Sequence, residues 1–312
     1  RYDRLTRKRD GQFRSAEWYY GPQTWFSTNL DIRQKQATKF YDESNLTLAF
    51  QKFEEGRNDR DFGDNILYET DETVNAYSAN LDFTKKIGKN TVFYGLEYVH
   101  NTVNSAGSQT NVNTGETMRD VSRYPDGSTW QSIAAYASTQ WKLEENLTLL
   151  TGARYNQVIV DATFDNTLFD FPFEDANINT GALTGSAGLS WQASNILSTK
   201  LNFSTSFRAP NVDDVGKIFD SEPGSVVVPN PDLESEYAYN GELGFSLNFS
   251  NVRFDASGFY TYLDNALVRR DFELDGESMI DYQGELSQVQ AIQNAAFGKV
   301  YGLELGTQVD IT

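Results

Sequence analysis

Cysteine is absent from the 312 residues, and histidine occurs once, at His100. Without thiols there is no disulfide framework, and one imidazole cannot build a Cys/His zinc site. A Ser-His mechanism would have to run through His100 alone, and a Cys-His one has no thiol to use. Long apolar runs are also missing: no stretch approaches the ~18 residues of a membrane-crossing helix. Basic charge is scarce, with 26 Lys and Arg against 44 Asp and Glu and a net charge of -18. That balance excludes an ordinary nucleic-acid binder, which presents a basic face. The start, Arg1-Tyr2-Asp3-Arg4, carries neither Met nor signal peptide and reads as a mature product or a fragment. The end, Val309-Asp310-Ile311-Thr312, reads as a strand cut short.

Aromatic residues are plentiful instead, at 14%, with 17 Tyr, 21 Phe and 5 Trp. Tyr and Trp suit a membrane interface, where one end of the ring is apolar and the other wet. A hydropathy test for helices does not detect a transmembrane barrel, because only alternate residues of each strand meet lipid.

Alternation with a period of two is the main signal. Leu183, Gly185, Ala187, Leu189 and Trp191 share a face, and Thr184, Ser186, Gly188 and Ser190 take the other. Leu201, Phe203, Thr205 and Phe207 alternate with Asn202, Ser204 and Ser206. The same holds for Leu243, Phe245 and Leu247 against Glu242 and Ser246, and for Leu303 and Leu305 against Glu304. Strands are expected at 24–36, 45–56, 74–87, 90–103, 129–143, 146–159, 180–193, 196–208, 235–248, 251–264 and 298–312. Many exceed ten residues, enough for a tilted membrane crossing of ~9–11.

Connection lengths separate a soluble sandwich from a barrel. Short turns fall near Gly88-Lys89-Asn90, Glu144-Glu145-Asn146, Ala193-Ser194-Asn195 and Phe249-Ser250-Asn251. Long connections fall at 57–73, 104–128, 160–179, 209–234 and 265–297. Short periplasmic turns alternating with long outer loops are the pattern of an up-and-down outer-membrane barrel. Compact soluble domains rarely carry many structureless loops above ~12–15 residues. Antiparallel neighbours throughout are therefore expected. The long loops are acidic: 160–179 holds Asp161, Asp165, Asp170, Glu174 and Asp175 with no Lys or Arg. The span 209–234 sets six carboxylates against Lys217. These charges read as solvated loop charge or as selection against anionic ligands. No calcium-loop spacing is present.

Several strings, in order, resemble TonB-dependent outer-membrane receptors, especially a haem/haemoglobin-receptor branch of Bacteroidetes type. They are Phe207-Arg208-Ala209-Pro210-Asn211 (a FRAP-like segment), Asn230-Pro231-Asp232-Leu233 (NPNL-like) and Glu236 through Gly244. Gly302-Leu303-Glu304 and Ala16 through Gln23 are similar to further segments. Pro210, Pro231 and Asn230 also have a plain reading as strand terminators and turn residues.

The resemblance implies a barrel of about 22 strands with an N-terminal plug, coupled to the TonB complex. The fold class is then all-β: a large antiparallel transmembrane β-barrel, with 1–312 a partial barrel domain of eleven strands. An odd count fits a part better than a whole, since bacterial single-chain barrels use even numbers. Plug, TonB box and final strands are not seen in the sequence, and the edge strands are expected to pair with further parts of the same polypeptide or another chain. The implied activity is import of an iron complex, siderophore or haem, across the outer membrane of a Gram-negative bacterium. Implied surroundings are lipid and lipopolysaccharide, with neither enzyme chemistry nor nucleic acid. The alternative is a passive porin or structural barrel, marked by a wet lumen without a plug or by a constricting inner loop.

Candidate ligand contacts are Tyr124, Trp130, Arg208 and Tyr282; no catalytic residue and no metal site is assigned. Receptors of the haem branch place a histidine between the two Pro-containing segments, but 211–229 contain none. His100 shares the parity of Val92, Tyr94, Leu96 and Tyr98, so it reads as a rim residue, not an iron ligand. This tilts the expectation toward a siderophore.

Overall fold

A computed structural model describes residues 15–222, 224–294 and 297–311. The expectations for Arg1–Arg4 and for Thr312 lie outside the described residues. Among these described residues twelve strands form one sheet. They are β1 (Ser15–Lys35), β2 (Glu43–Asp61), β3 (Ile66–Ile87), β4 (Asn90–Asn111), β5 (Thr117–Asp120), β6 (Ser128–Glu144) and β7 (Leu147–Thr163). They continue with β8 (Asp175–Gln192), β9 (Leu197–Arg208), β12 (Glu236–Asn248), β13 (Val252–Asp264) and β17 (Phe297–Val309). Eleven follow one another as β1-β2-β3-β4-β6-β7-β8-β9-β12-β13-β17, and β5 adds to β4. Every step along that path is antiparallel. The expected hairpins 74–87/90–103 and 235–248/251–264 are present, and 180–193/196–208 is present but paired only where Ser186–Gln192 meets Ser198–Ser204. Gly88, at φ +59, turns β3 into β4 where a Cβ would be strained.

Register places whole rows on one face. Ile32, Leu46, Leu81, Leu96, Ala135, Tyr155 and Leu183 are successive partners across seven strands. A second row runs Trp141, Leu149, Leu189, Leu201, Leu243, Gly258, Leu303. The opposite face has the row Ser190, Lys200, Gly244, Ser257, Glu304. Glu242 and Glu304 thus oppose Leu243 and Leu303, as the alternation predicts. The apolar face stays largely uncovered: Leu183 is 69% exposed and Leu305 76%. On a monomer in water so large an apolar surface would be anomalous. The polar face is cross-linked instead. Arg154 pairs with Glu97, Tyr136 Oη donates to Asp82 Oδ1 (2.6 Å), and Asn156 Nδ2 donates to Ser132 Oγ (2.7 Å).

All five long connections differ from expectation; in 160–179, β7 runs on to Thr163 and β8 begins at Asp175. The span 57–73 is not a loop: β2 and β3 run on and turn at 62–65. The span 104–128 is partly strand, since β4 continues to Asn111 and β5 lies beside it. The spans 209–234 and 265–297 are structured. They hold α1 (Val212–Gly216), β10 (Phe219–Glu222), β11 (Ser225–Val227), β14 (Leu267–Asp271), β15 (Met279–Tyr282) and β16 (Glu285–Asn294). These strands form a second, five-stranded sheet in which β16 pairs with β11, β14 and β15. The β11–β16 pairing is parallel, so the expectation of antiparallel neighbours throughout fails there. Its physical cause is connectivity: β11 and β16 belong to different long connections, so no hairpin sets their direction.

Candidate functional site

The long connections fold onto the polar face of the main sheet at the end opposite the short turns. Alternate residues of β7 and β8 supply the floor: Val158, Val160, Ala162, Ala176 and Ile178 are buried there. Against them pack Val212 and Val215 of α1, Val226 and Val228, and Val289 of β16. Burying each such side chain contributes roughly 1.5–3 kcal/mol, which is what holds these connections to the wall. Gly216 permits the contact with the 112–127 connection, since a Cβ there would sit 2.6 Å from Pro125 Cδ.

Capping holds α1 at the end of β9. Asn211 accepts from the Asp214 amide (3.0 Å), and Asp214 Oδ2 accepts from the Asn211 amide (3.0 Å). Arg208 Nη2 donates to both Asp214 oxygens (2.7 and 2.8 Å). Asn230 accepts from the Asp232 amide (3.2 Å) and donates to the Ile292 carbonyl (2.8 Å), tying the two connections together. The FRAP-like and NPNL-like segments therefore have structural work in this fold. Asp214→Ala should cost about 1–2 kcal/mol through the lost cap, roughly a fivefold to thirtyfold rise in the opened population. Limited proteolysis within 209–235 measures it; cleavage at the parent rate would contradict the clamp.

Three cations converge on one ring. The Arg123 guanidinium lies 4.4 Å from the Phe219 centroid, Lys217 Nζ 5.0 Å and the Arg269 guanidinium 5.8 Å. Lys217 pairs with Asp213 (2.6 Å), whose Oδ1 accepts from the Tyr124 hydroxyl (2.9 Å). Arg123 donates to that same hydroxyl (3.3 Å). Burial alone would raise the Asp213 pKa, but the Lys217 ammonium and the Tyr124 hydroxyl hold it below 3.8. Burial, then the Asp213 charge, push the Tyr124 phenol up, so it stays protonated and donating.

A depressed carboxyl stabilises above its unfolded pKa and is lost as pH falls through the folded value. Protection of the 212–218 amides should therefore hold from neutrality to about pH 4 and fall below it. Hydrogen exchange against pH checks this, with Asp213→Asn expected to remove that acid limb.

The four candidate contacts separate as follows. Tyr124 joins the cation cluster. Trp130, on the polar face of β6, and Tyr282, edge-on to Phe169 with centroids 6.3 Å apart, pack against the buried apolar cluster. Arg208 serves the helix cap. Tyr124 also lines a cavity of about 480 Å³ with Arg119, Asp126, Phe164 and Ile218. Phe219, Arg123 and Arg269 were not singled out by sequence reasoning, because they come from separate acidic or mixed stretches far apart in the chain. His100 lies on the apolar face, in partner rows with Tyr77 and stacked 6.4 and 6.5 Å from Tyr77 and Tyr98, as its parity predicts. Among the described residues no group of three His, Cys, Asp or Glu is placed to hold a metal ion.

Solved structures share this architecture. The copper transporter OprC superposes with a TM-score of 0.76 at 12% identity, over 97% of this chain and 46% of that one. The Serratia marcescens hemophore receptor HasR, solved with its hemophore HasA and heme, gives 0.69 at 16%, over 93% and 47%. The FrpB iron transporter from Neisseria meningitidis gives 0.64 at 18%, over 95% and 43%. At such identities the likeness is one of fold, and the chain spans less than half of each of these proteins. No curated protein sequence matches the chain. The profile of the family described as TonB dependent receptor-like, beta-barrel, matches residues 1–311. The chain belongs to that family of β-barrels.

Proposed function

We propose that this chain is part of the barrel of an outer-membrane importer that takes up an iron complex in a TonB-dependent manner. The observation that carries the ligand class is the convergence of Arg123, Lys217 and Arg269 on Phe219 beside Tyr124. Paired with aromatic rings, such cations attract a planar or anionic ligand. The acidic composition of the loops suggests the reverse preference, but folding gathers their few cations in one place. An anionic ferric chelate fits this site, and a siderophore fits better than haem, since His100 lies on the other face of the sheet. No bond is made or broken in this role.

The uncovered apolar rows and the cross-linked polar face support membrane residence. Each of β1 and β17 has one neighbour among the described strands. An open edge is costly in lipid, so further strands of the same polypeptide are the fitting partners, with a plug to engage the TonB complex. Lipopolysaccharide and lipid would surround the apolar face.

One observation favours the second reading, a passive porin: the 209–235 connection folds onto the polar face, as a constricting loop would. Family membership weighs against it. Growth of cells carrying the full-length parent as sole iron receptor, with and without TonB, separates the two.

A further inference from the structure

The wall of the main sheet parts between β8 and β9. Strand β8 is paired with β7 along its whole length, Asp175 to Leu147-paired Trp191, but with β9 only over Ser186–Gln192. Strand β9 is paired with β12 up to Arg208. Above Ser186 and Ser204, β8 and β9 therefore diverge, with no ladder between them among the described residues. The first step of the gap is bridged by a side chain: the Gly185 amide donates to Thr205 Oγ1 (2.8 Å). Because ladder groups alternate along a strand, Leu183, Gly181 and Asn179 turn their amide and carbonyl groups to the same side as Gly185. In an apolar medium such groups need partners.

Two furrows lie along this seam, one above the other. The lower, about 580 Å³, has a small-residue floor (Gly185, Ala187, Gly241) between aromatic walls (Phe203, Tyr239, Tyr260). Phe203 is six residues beyond Leu197 at the turn end of β9, about 20 Å up a strand. That level is the outer half of an apolar band ~25 Å tall. The upper furrow, about 410 Å³, is polar and lined by Asn177, Asn179, Thr180, Asp232, Glu234 and Asn265. Phe207 and Tyr237, centroids 6.3 Å apart, stand between the two levels. Among the described residues no Lys or Arg lines either furrow.

We propose that this seam is a binding site for a glycolipid of the outer leaflet, resting on the membrane reading above but not on iron import. The acyl chain lies in the aromatic-walled lower furrow. The sugar headgroup lies in the upper one, where amide and hydroxyl side chains both donate and accept, as sugar hydroxyls require. Asp232 and Glu234 without a cation disfavour a phosphate headgroup. The headgroup hydroxyls also supply partners for the turned-out backbone of β8.

The test is native mass spectrometry of the full-length parent in detergent, with a monogalactosyl diacylglycerol and a chain-matched phosphatidylglycerol as probes. The galactolipid is expected to be retained roughly fivefold or more over the phosphatidylglycerol, the scale of one or two net hydrogen bonds. Ala187→Trp, which fills the lower furrow from the exposed face, and Asn179→Ala should each remove that preference. Equal retention of both lipids, or retention unchanged by Ala187→Trp and Asn179→Ala, would overturn the proposal. TonB-dependent growth, measured on the same variants, reports separately on the import reading.

Discussion

Cells that rely on the full-length parent for iron should grow on a ferric siderophore when TonB is present and stop at the receptor-less level when it is absent. The expectation rests on the family of the barrel, whose residues 1–311 match one profile throughout, and on the basic aromatic site at its outer end. The growth assay is all-or-none because a closed barrel passes a large chelate only when its path is opened by coupled energy. Growth that survives TonB loss would select the porin. Growth that needs TonB yet occurs only on a glycan or peptide would keep the transporter and reject iron. Replacing Arg123 and Arg269 together by Gln should lower affinity for an anionic chelate while leaving the TonB requirement intact. If haem alone supports growth and His100→Ala has no effect, a tyrosine such as Tyr124 or a residue outside this chain becomes the ligand to seek.

Leu243→Lys should destabilise the membrane-inserted protein by ~2–4 kcal/mol, because a charge is placed on the apolar face near mid-membrane. Leu243 is flanked in its row by Leu201 and Gly258, with Leu303 beyond. No carboxylate of that row is available to pair with a new ammonium. Glu242→Gln, one residue away on the opposite face, should have a much milder effect. Reversible unfolding in urea with lipid vesicles measures both. Equal costs at the two positions, or a larger cost at Glu242, would reverse the assignment of faces.

The alternation of single residues carried most of the barrel. Eleven strands are legible because each crossing must be apolar on one face and tolerates polarity on the other, which writes a period of two into the chain. The short turns are legible through residues such as Gly88 and Asn251. The hairpin at 62–65 was not, since β2 and β3 beyond the apolar band carry charge on either side. There Arg60 meets Glu17 at 3.1 Å and Arg57 meets Glu55 at 2.6 Å across or along the strands. Charged strands outside a membrane have no reason to alternate, and so they read as loop.

What the sequence determined by itself was thus the class of fold, the hairpins closed by short turns, the two faces and the outward parity of His100, all of which follow from near-neighbour pattern. Tertiary structure alone decided the rest. Strand β16 draws β11, β14 and β15 into one sheet, and pairings of three to five residues leave no periodic trace. Phe219, Arg123, Lys217 and Arg269 come from three separate stretches, so no local spacing marks them. The divergence of β8 from β9 is likewise invisible in either strand, because both keep their alternation and only the absence of a shared ladder tells them apart.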